Sequence, residues 1–324
     1  MHSTFANSSC RKEPEQYLDE FYREYNFFLK EGVCQDYEFQ PTLAKLLRFE
    51  TNKNTTKKLI SLDEYIGNMR PEQNDVYFLC APTREAAIMS PYLEAFEKAN
   101  VEVIFIYTAI DDFVMANLQK YEGRNLVSVE KGDIDLSQFQ TDEKGKDDDK
   151  EKDSEESTDN DDKVALSSTE AMDICVWFKD VLGETKVASC RPSSRLVSSP
   201  AIVTDNESGA MRRMMRMVDT SAETRDNMPL PKQNVEINPS HPIIVGLFNI
   251  KDKEPVLARV LAEQVYDNCL VAAGLLDDSR TMLPRLNDLL ISLVKGAEQQ
   301  QLETSSMEEK SSESGVESSE SNSK

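Results

Sequence analysis

Side chains able to do chemistry are few in this chain, and they are scattered. Of its two histidines, His2 lies in a ragged N-terminal stretch and His241 sits between Pro239 and Pro242; neither has a nucleophile and a carboxylate close by in sequence. A lone loop imidazole of that kind reads as a turn residue rather than a general base. The six cysteines, Cys10, Cys34, Cys80, Cys175, Cys190 and Cys269, include no Cys-x-x-Cys pair. Their spacing argues against a zinc ribbon or a disulfide frame and suits a reducing compartment. No P-loop, no Gly-x-Gly-x-x-Gly and no His-Glu-x-x-His is present. The one concentrated stretch is Gly209–Val218, GAMRRMMRMV, where Met211, Met214, Met215 and Met217 are interspersed with Arg212, Arg213 and Arg216. It predicts a basic helix with a soft, adaptable apolar side. By spacing alone such methionines read as core.

The elements that must position these residues are organised around Ser61–Val129. Asp75–Ala81, Val101–Thr108 and Asn125–Glu130 are short apolar runs that predict buried strands. Helical patterns lie between them. Ser61 with Glu64 forms a capping box, Pro91 opens a segment with Tyr92, Ala95, Phe96 and Ala99 on one face, and Asp111 stands where an N-cap belongs. This alternation predicts a small, mostly parallel sheet covered by helices. A nucleotide would sit at the carboxyl ends of such strands. The turns there, Ala81–Arg84 and Ala109–Asp112, offer no glycine, and the second would repel a phosphate.

Upstream, Glu13–Glu31 carries an apolar and aromatic stripe at helical spacing, with Gly32 as a natural stop, and Gln40-Pro41 opens a second short helix. Downstream, Thr141–Lys163 holds twelve acids against five lysines and almost nothing apolar. Such a segment is expected to be a disordered acidic loop separating two folded parts. Ser167 with Glu170 caps another helix; strand-like pieces follow at Lys186–Cys190, Ser194–Val197 and Ala201–Thr204, then a strand stub after Gln233 and a short helix at Ile243–Phe248. Two apolar helices come last, Glu254–Ala273 with Leu257, Leu261 and Val265, and Arg280–Lys295 with Leu283, Leu286, Leu290 and Leu293. They make half a bundle, and a second copy of the pair would complete it. With a formal charge of −22 and a pI near 4.6, neither nucleic acid nor an anionic membrane is an expected partner. No apolar run approaches membrane-spanning length, and the first residues lack the apolar core of a secretory signal.

Five separated stretches, Ser61–Pro82, Leu126–Glu130, SSRLVSSPAIV (Ser193–Val203), VEINPSHPII (Val235–Ile244) and DNCLVAAGLLDD (Asp267–Asp278), resemble, in order, the middle and C-terminal domains of the heat shock protein 90 chaperones. GAMRRMMRMV and RLNDLLISLV are similar to the mitochondrial, tumour-necrosis-factor-receptor-associated branch and its bacterial-like relatives. The implied fold is α/β plus α+β: a small three-layer α/β/α middle-domain segment, then an α+β C-terminal domain ending in a helical dimerisation bundle. The implied boundaries are a disordered 1–12, the latter part of the middle domain at 13–139, the acidic loop at 140–163, the C-terminal domain at 164–296 and a disordered Ser/Glu tail at 297–324.

What the resemblance implies for function is an ATP-driven dimeric chaperone that binds partly folded clients. Met211, Arg212, Met214, Met215 and Met217 would then contact clients, and Leu257, Leu261, Val265, Leu283, Leu286, Leu290 and Leu293 would build the homodimer. The family's ATP-binding domain, with its ATP and magnesium, has no counterpart in this sequence, and the loop carrying the arginine that reaches the γ-phosphate is expected upstream of Pro14. No catalytic, cofactor or metal residue is therefore assigned. Met307-Glu308-Glu309-Lys310 departs from the terminal Met-Glu-Glu-Val-Asp of cytosolic members, so recognition by helical-repeat cochaperones is not carried over. Mitochondria are the implied location, with the cytoplasm as the alternative. A non-enzymatic dimer that scaffolds or dampens full-length protomers is the alternative function.

Overall fold

In a computed structural model, the protein is described at residues 14–54, 58–132, 134–139, 165–205, 230–276, 278–296 and 298. The acidic segment, the Ser/Glu tail and Gly209–Val218 lie outside them.

The first helical stretch starts at Pro14, passes through a π-helical turn at Tyr17–Tyr22 and continues as α1 (Arg23–Gln35). Gly32 does not stop it. A Cβ there would meet the Leu43 side chain at 3.0 Å, so the glycine lets α2 (Gln40–Ala44) pack closely rather than ending the helix. After β1 (Glu50–Thr51), α3 (Leu62–Asn68) begins with the expected capping box, in which Glu64 Oε2 accepts from the Ser61 amide at 2.7 Å.

β2 (Asp75–Cys80) and β3 (Ile104–Ile106) form the sheet centre. Between them lie α4 (Arg84–Ile88), capped by Thr83, and α5 (Glu94–Lys98). Only the second was expected, and it starts at Glu94 rather than beside Pro91, because Ser90–Leu93 make a turn of their own. α6 (Ala109–Leu118) is capped by Thr108; Asp111, expected as the cap, is its third residue and reaches back to the Thr108 amide at 3.2 Å. β4 (Lys120–Tyr121) and β5 (Arg124–Ser128) complete the sheet. Its order is β1-β3-β2-β5-β4, parallel at the centre and antiparallel at both edges. Beyond Asp75, β2 and β3 are apolar because both faces are covered. Val76 and Phe78 with Ile104 and Ile106 pack toward α1, α3 and α6; Tyr77, Leu79 and Phe105 pack into the other, larger core.

Beyond the acidic segment, α7 (Ser168–Leu182) opens with the Ser167–Glu170 capping box and ends at Gly183, whose φ of 85° a side chain would oppose. β6 (Val187–Pro192), β7 (Ala201–Thr204) and β8 (Gln233–Ile237) form a second mixed sheet in the order β6-β8-β7. The expected strand at Ser194–Val197 is instead an irregular turn, held outside the sheet by bonds described below. α8 (Pro242–Ile250), α9 (Pro255–Ala272) and α10 (283–296) follow. His241 caps α8, its Nδ1 accepting from the Ile243 amide at 3.1 Å, which is a structural role for the imidazole.

The larger core does not stop at the acidic segment. Tyr92, Phe96, Val103 and Val129 share it with Phe178, Ile202, Val235 and Ala262. Polar bonds line this junction. The Tyr92 hydroxyl donates to the Val203 carbonyl. Glu94 accepts from the amides of Val197 and Ser198 at 2.8 and 2.9 Å and from the hydroxyls of Ser198 and Ser199 at 2.7 and 2.6 Å; burial pushes its carboxyl up, but together these donors outweigh it and hold the group below the ordinary value. Arg191 and Arg195 donate to the carbonyls of Gly132 and Lys131 at 2.6 and 2.8 Å while pairing with the buried Glu236 at 2.7 and 3.0 Å. A Cβ on Gly132 would fall 2.4 Å from Arg191 Nη2. A side chain there would displace the guanidinium from the Gly132 carbonyl.

Glu130 ends β5's approach to this junction, its carbonyl accepting from the Asp205 amide at 3.1 Å. Burial pushes its carboxyl from an ordinary value near 4.5 to about 8, and the Asp112 charge adds to the shift. Folded, the group keeps its proton up to about pH 8; unfolded, it ionises near 4.5. Stability should therefore fall as pH rises between these values and level off above them. Glu130→Gln is expected to flatten that slope and to be the more stable form at pH 8, read from denaturant midpoints between about pH 5 and pH 9. Parallel curves for the two proteins would show that the carboxyl titrates normally.

Candidate functional site

Two features stand apart from ordinary packing: the junction just described and the outer face of α10. α10 follows a short 3₁₀ turn at Ser279–Met282, whose Arg280 amide is capped by Asp278 at 2.9 Å. Met282 is buried, which anchors the start of α10. Arg285 then fastens the helix to α9. It donates to Glu263 Oε2 and Gln264 Oε1, each at 3.2 Å, and pairs with Asp267. These bonds occupy one side of α10. On its other sides, Leu283, Leu290, Ile291, Leu293 and Val294 are exposed, Leu290 at 59% and Leu293 at 69%.

At the far end of α9, Val256 is also exposed. With Leu257, Val260 and Leu289 it lines an apolar cleft of about 470 Å³, with Glu254 and Asp288 beside it. Exposed apolar side chains gathered like this mark a surface that something covers.

The sequence-derived pairing residues separate in the structure. Leu283, Leu290 and Leu293 lie open, and Leu257 and Leu286 are half-buried. Leu261 packs partly against the chain's own core. Val265, 4% exposed, belongs wholly to that core beside Ala262 and Tyr266, because α9 turns this side toward the second sheet. Ile291, Val294 and Val256 were not singled out; reading α10 as one leucine per turn narrowed a stripe that is two residues wide. Met211, Arg212, Met214, Met215 and Met217 lie outside the described residues.

The turns after β2 and β3 do not fit a nucleotide. The first is closed by Thr83, whose hydroxyl accepts from the Ala86 amide at 3.2 Å. The second presents Asp111, already paired with Lys30 at 2.7 Å, and Asp112 at the start of α6. Two carboxylates at a helix N-terminus leave no place for a phosphate. Among the described residues no group of His, Cys, Asp and Glu could hold a metal, and no helix is long and apolar enough to cross a membrane.

Comparison with known proteins gives a consistent picture. A protein-family profile described as "Hsp90 protein" matches residues 5–323. A relative named TNF receptor-associated protein 1 homolog, mitochondrial, from Dictyostelium discoideum is 35% identical over 291 residues, covering 89% of this chain and 38% of the relative. Chaperone protein HtpG from Desulfitobacterium hafniense is 37% identical over 287 residues, with 88% and 43% covered. Heat shock protein 75 kDa, mitochondrial, from Bos taurus is 33% identical over 293 residues, with 90% and 40% covered. The chain thus spans less than half the length of these relatives.

If Arg285 is what holds α10 in place, Arg285→Ala should leave Asp267 without its cation and Glu263 with Arg259 alone, and loosen the helix by about 1–3 kcal/mol. Amide hydrogen exchange across 283–296 would accelerate while α7 and β8 stay protected. Unchanged exchange would mean that Met282 alone anchors the helix.

Proposed function

This chain belongs to the Hsp90 protein family, and from that membership we propose that it serves as the pairing and client-holding part of a dimeric molecular chaperone. The observation that carries the reading is the open apolar face of α10, with Leu290 and Leu293 more than half exposed on a helix that Arg285 fixes in position. An amphipathic helix pair with a bare outer stripe is half of a bundle, and a second copy supplies the matching half with two-fold symmetry. Residues 13–139 would be the latter part of a middle domain built as a small α/β/α unit, and 164–296 an α+β C-terminal domain ending in that bundle.

Client contact is proposed for Met211, Arg212, Met214, Met215 and Met217. Unbranched thioethers repack against unrelated apolar segments without the penalty that branched chains incur, and guanidinium groups donate to exposed carbonyls and carboxylates. ATP-driven cycling, with its magnesium, is proposed for the whole protein. The turns after β2 and β3 do not fit that nucleotide, so no step of its hydrolysis is assigned to them. Two of the relatives are named as mitochondrial, which supports a mitochondrial location, with the cytoplasm as the alternative.

Pairing is tested by Leu290→Asp with Leu293→Asp. Both side chains are exposed in the single chain, so the fold should hold, while a carboxylate desolvated in a bundle seam costs several kcal/mol. Light scattering at low micromolar concentration is expected to give a dimer for the parent and a monomer for the variant. An unchanged mass would put the pairing surface elsewhere.

Client contact is tested by changing Met214, Met215 and Met217 together to Ser. Suppression of aggregation of a model client should weaken while dimer mass and thermal midpoint hold. A large fall in midpoint would mean that these side chains are core, since cavities and buried hydroxyls destabilise by several kcal/mol.

A further inference from the structure

Three of the cysteines, far apart in sequence, converge on one side of the second sheet. Cys175 lies on the inner face of α7, Cys190 on β6 and Cys269 on α9, and all three belong to or pack against the same apolar cluster. α7 lies directly across β6, which brings Cys175 and Cys190 together with their thiols in hydrogen-bonding contact. Cys175 and Cys269 are each 2% exposed. Cys190 is only partly covered, because β6 is an outer strand of its sheet.

We propose that Cys175 and Cys190 form an oxidisable dithiol, a modification site at which hydrogen peroxide converts the two thiols into a disulfide that fastens α7 to the edge strand β6. The Cys190 thiol donates toward the Cys175 sulfur, which lowers the Cys175 pKa and raises that of Cys190, so the Cys175 sulfur is the better nucleophile. Burial pushes Cys269 up to about 12 and keeps it a bystander.

In the first step the Cys175 sulfur attacks one peroxide oxygen: the S–O bond forms, the O–O bond breaks, and the thiol proton leaves with the departing hydroxide as water. In the second, the Cys190 sulfur attacks the resulting sulfenic acid. The S–S bond forms, the S–O bond breaks, and the Cys190 proton leaves with that hydroxide as a second water. The thiols lose two electrons and the peroxide gains them. Peroxide is small enough to pass the β6 edge, whereas glutathione is too large to reach a sulfenic acid on the buried Cys175, so Cys190 is its only resolving partner. The bond would also bear on the junction. Arg191, next to Cys190, holds the Gly132 carbonyl and Glu236, and a tethered β6 keeps it there.

The test uses the full chain, reduced and then exposed to hydrogen peroxide, with free thiols blocked in denaturant and the non-reduced digest mapped by mass spectrometry. The expected product is one peptide pair joined through Cys175 and Cys190, lost on adding dithiothreitol and accompanied by a reversible rise in thermal midpoint. Cys269→Ser should leave the link intact. Cys190→Ser should instead accumulate oxygen on Cys175. Should that variant fail to fold, the map of the parent chain decides alone. Independent oxidation of the two thiols to sulfinic acids, or a link from either one to Cys269 or to a second chain, would overturn the proposal.

Discussion

The carboxylate of Glu94 collects four donors from Val197, Ser198 and Ser199, residues 103 to 105 positions further along the chain. Few groups in the molecule satisfy so many partners over such a separation. Around it the Tyr92 hydroxyl, the Gly132 backbone and the Arg191–Glu236–Arg195 ion cluster repeat the same connection. All of them lie beside one apolar core whose side chains come from both sides of the acidic segment. Buried polar groups are tolerable only when paired, so these bonds fix how the two sheets sit as strictly as the core does. A shift of either unit would strand several charges at once. The irregular turn that stands where the sequence predicts a strand is held at its end by Glu94, through Val197, Ser198 and Ser199.

Local chemistry was legible in the sequence and long-range chemistry was not. β2 and β3 appear as apolar runs because each is covered on both faces, and the capping boxes at Ser61 and Ser167 are visible because both partners lie within one turn. Asp111 was misplaced by three residues because Thr108 and Asp111 are both competent caps, and only the backbone distinguishes the cap from its third neighbour. Gly32 reads as a stop because a glycine needed for close helix packing looks the same in sequence as a glycine needed for a left-handed turn. Val265 follows the same spacing as Leu257 and Leu261, yet α9 turns it inward. Nothing in the chain announces that Glu94 faces Ser198. The stretches that carried the family resemblance, Leu126–Glu130, Ser193–Val203 and Val235–Ile244, nonetheless supply Glu130, Arg195, Ser198, Val203 and Glu236 to the junction, so the resemblance marked a site that spacing could not.

The two features of the candidate site divide the work differently. At the junction, Glu94, Arg191 and Arg195 each find partners across the boundary, and Glu236 is buried between the two arginines, as befits contacts meant to persist. On α10, Arg285 faces α9, while Leu283, Leu290, Ile291, Leu293 and Val294 are left exposed. A helix with its polar side committed and its apolar side bare has little to gain from solvent and much to gain from a partner. Orientation comes from Arg285; affinity would come from the leucines.

An open sheet edge is a template for further strands, and the larger sheet shows how that hazard is contained. Its longer strands lie in the middle, while the flanks are the two-residue β1 and β4, each antiparallel to its neighbour and each carrying a charge, Glu50 on one and Lys120 on the other. Glu50 is further engaged by Arg84 at 2.9 Å and by the Tyr107 hydroxyl at 2.8 Å. An extended foreign segment seeking free backbone donors and acceptors would find margins too short and too charged to add to. The flanks of this sheet thus act as gatekeepers against strand addition.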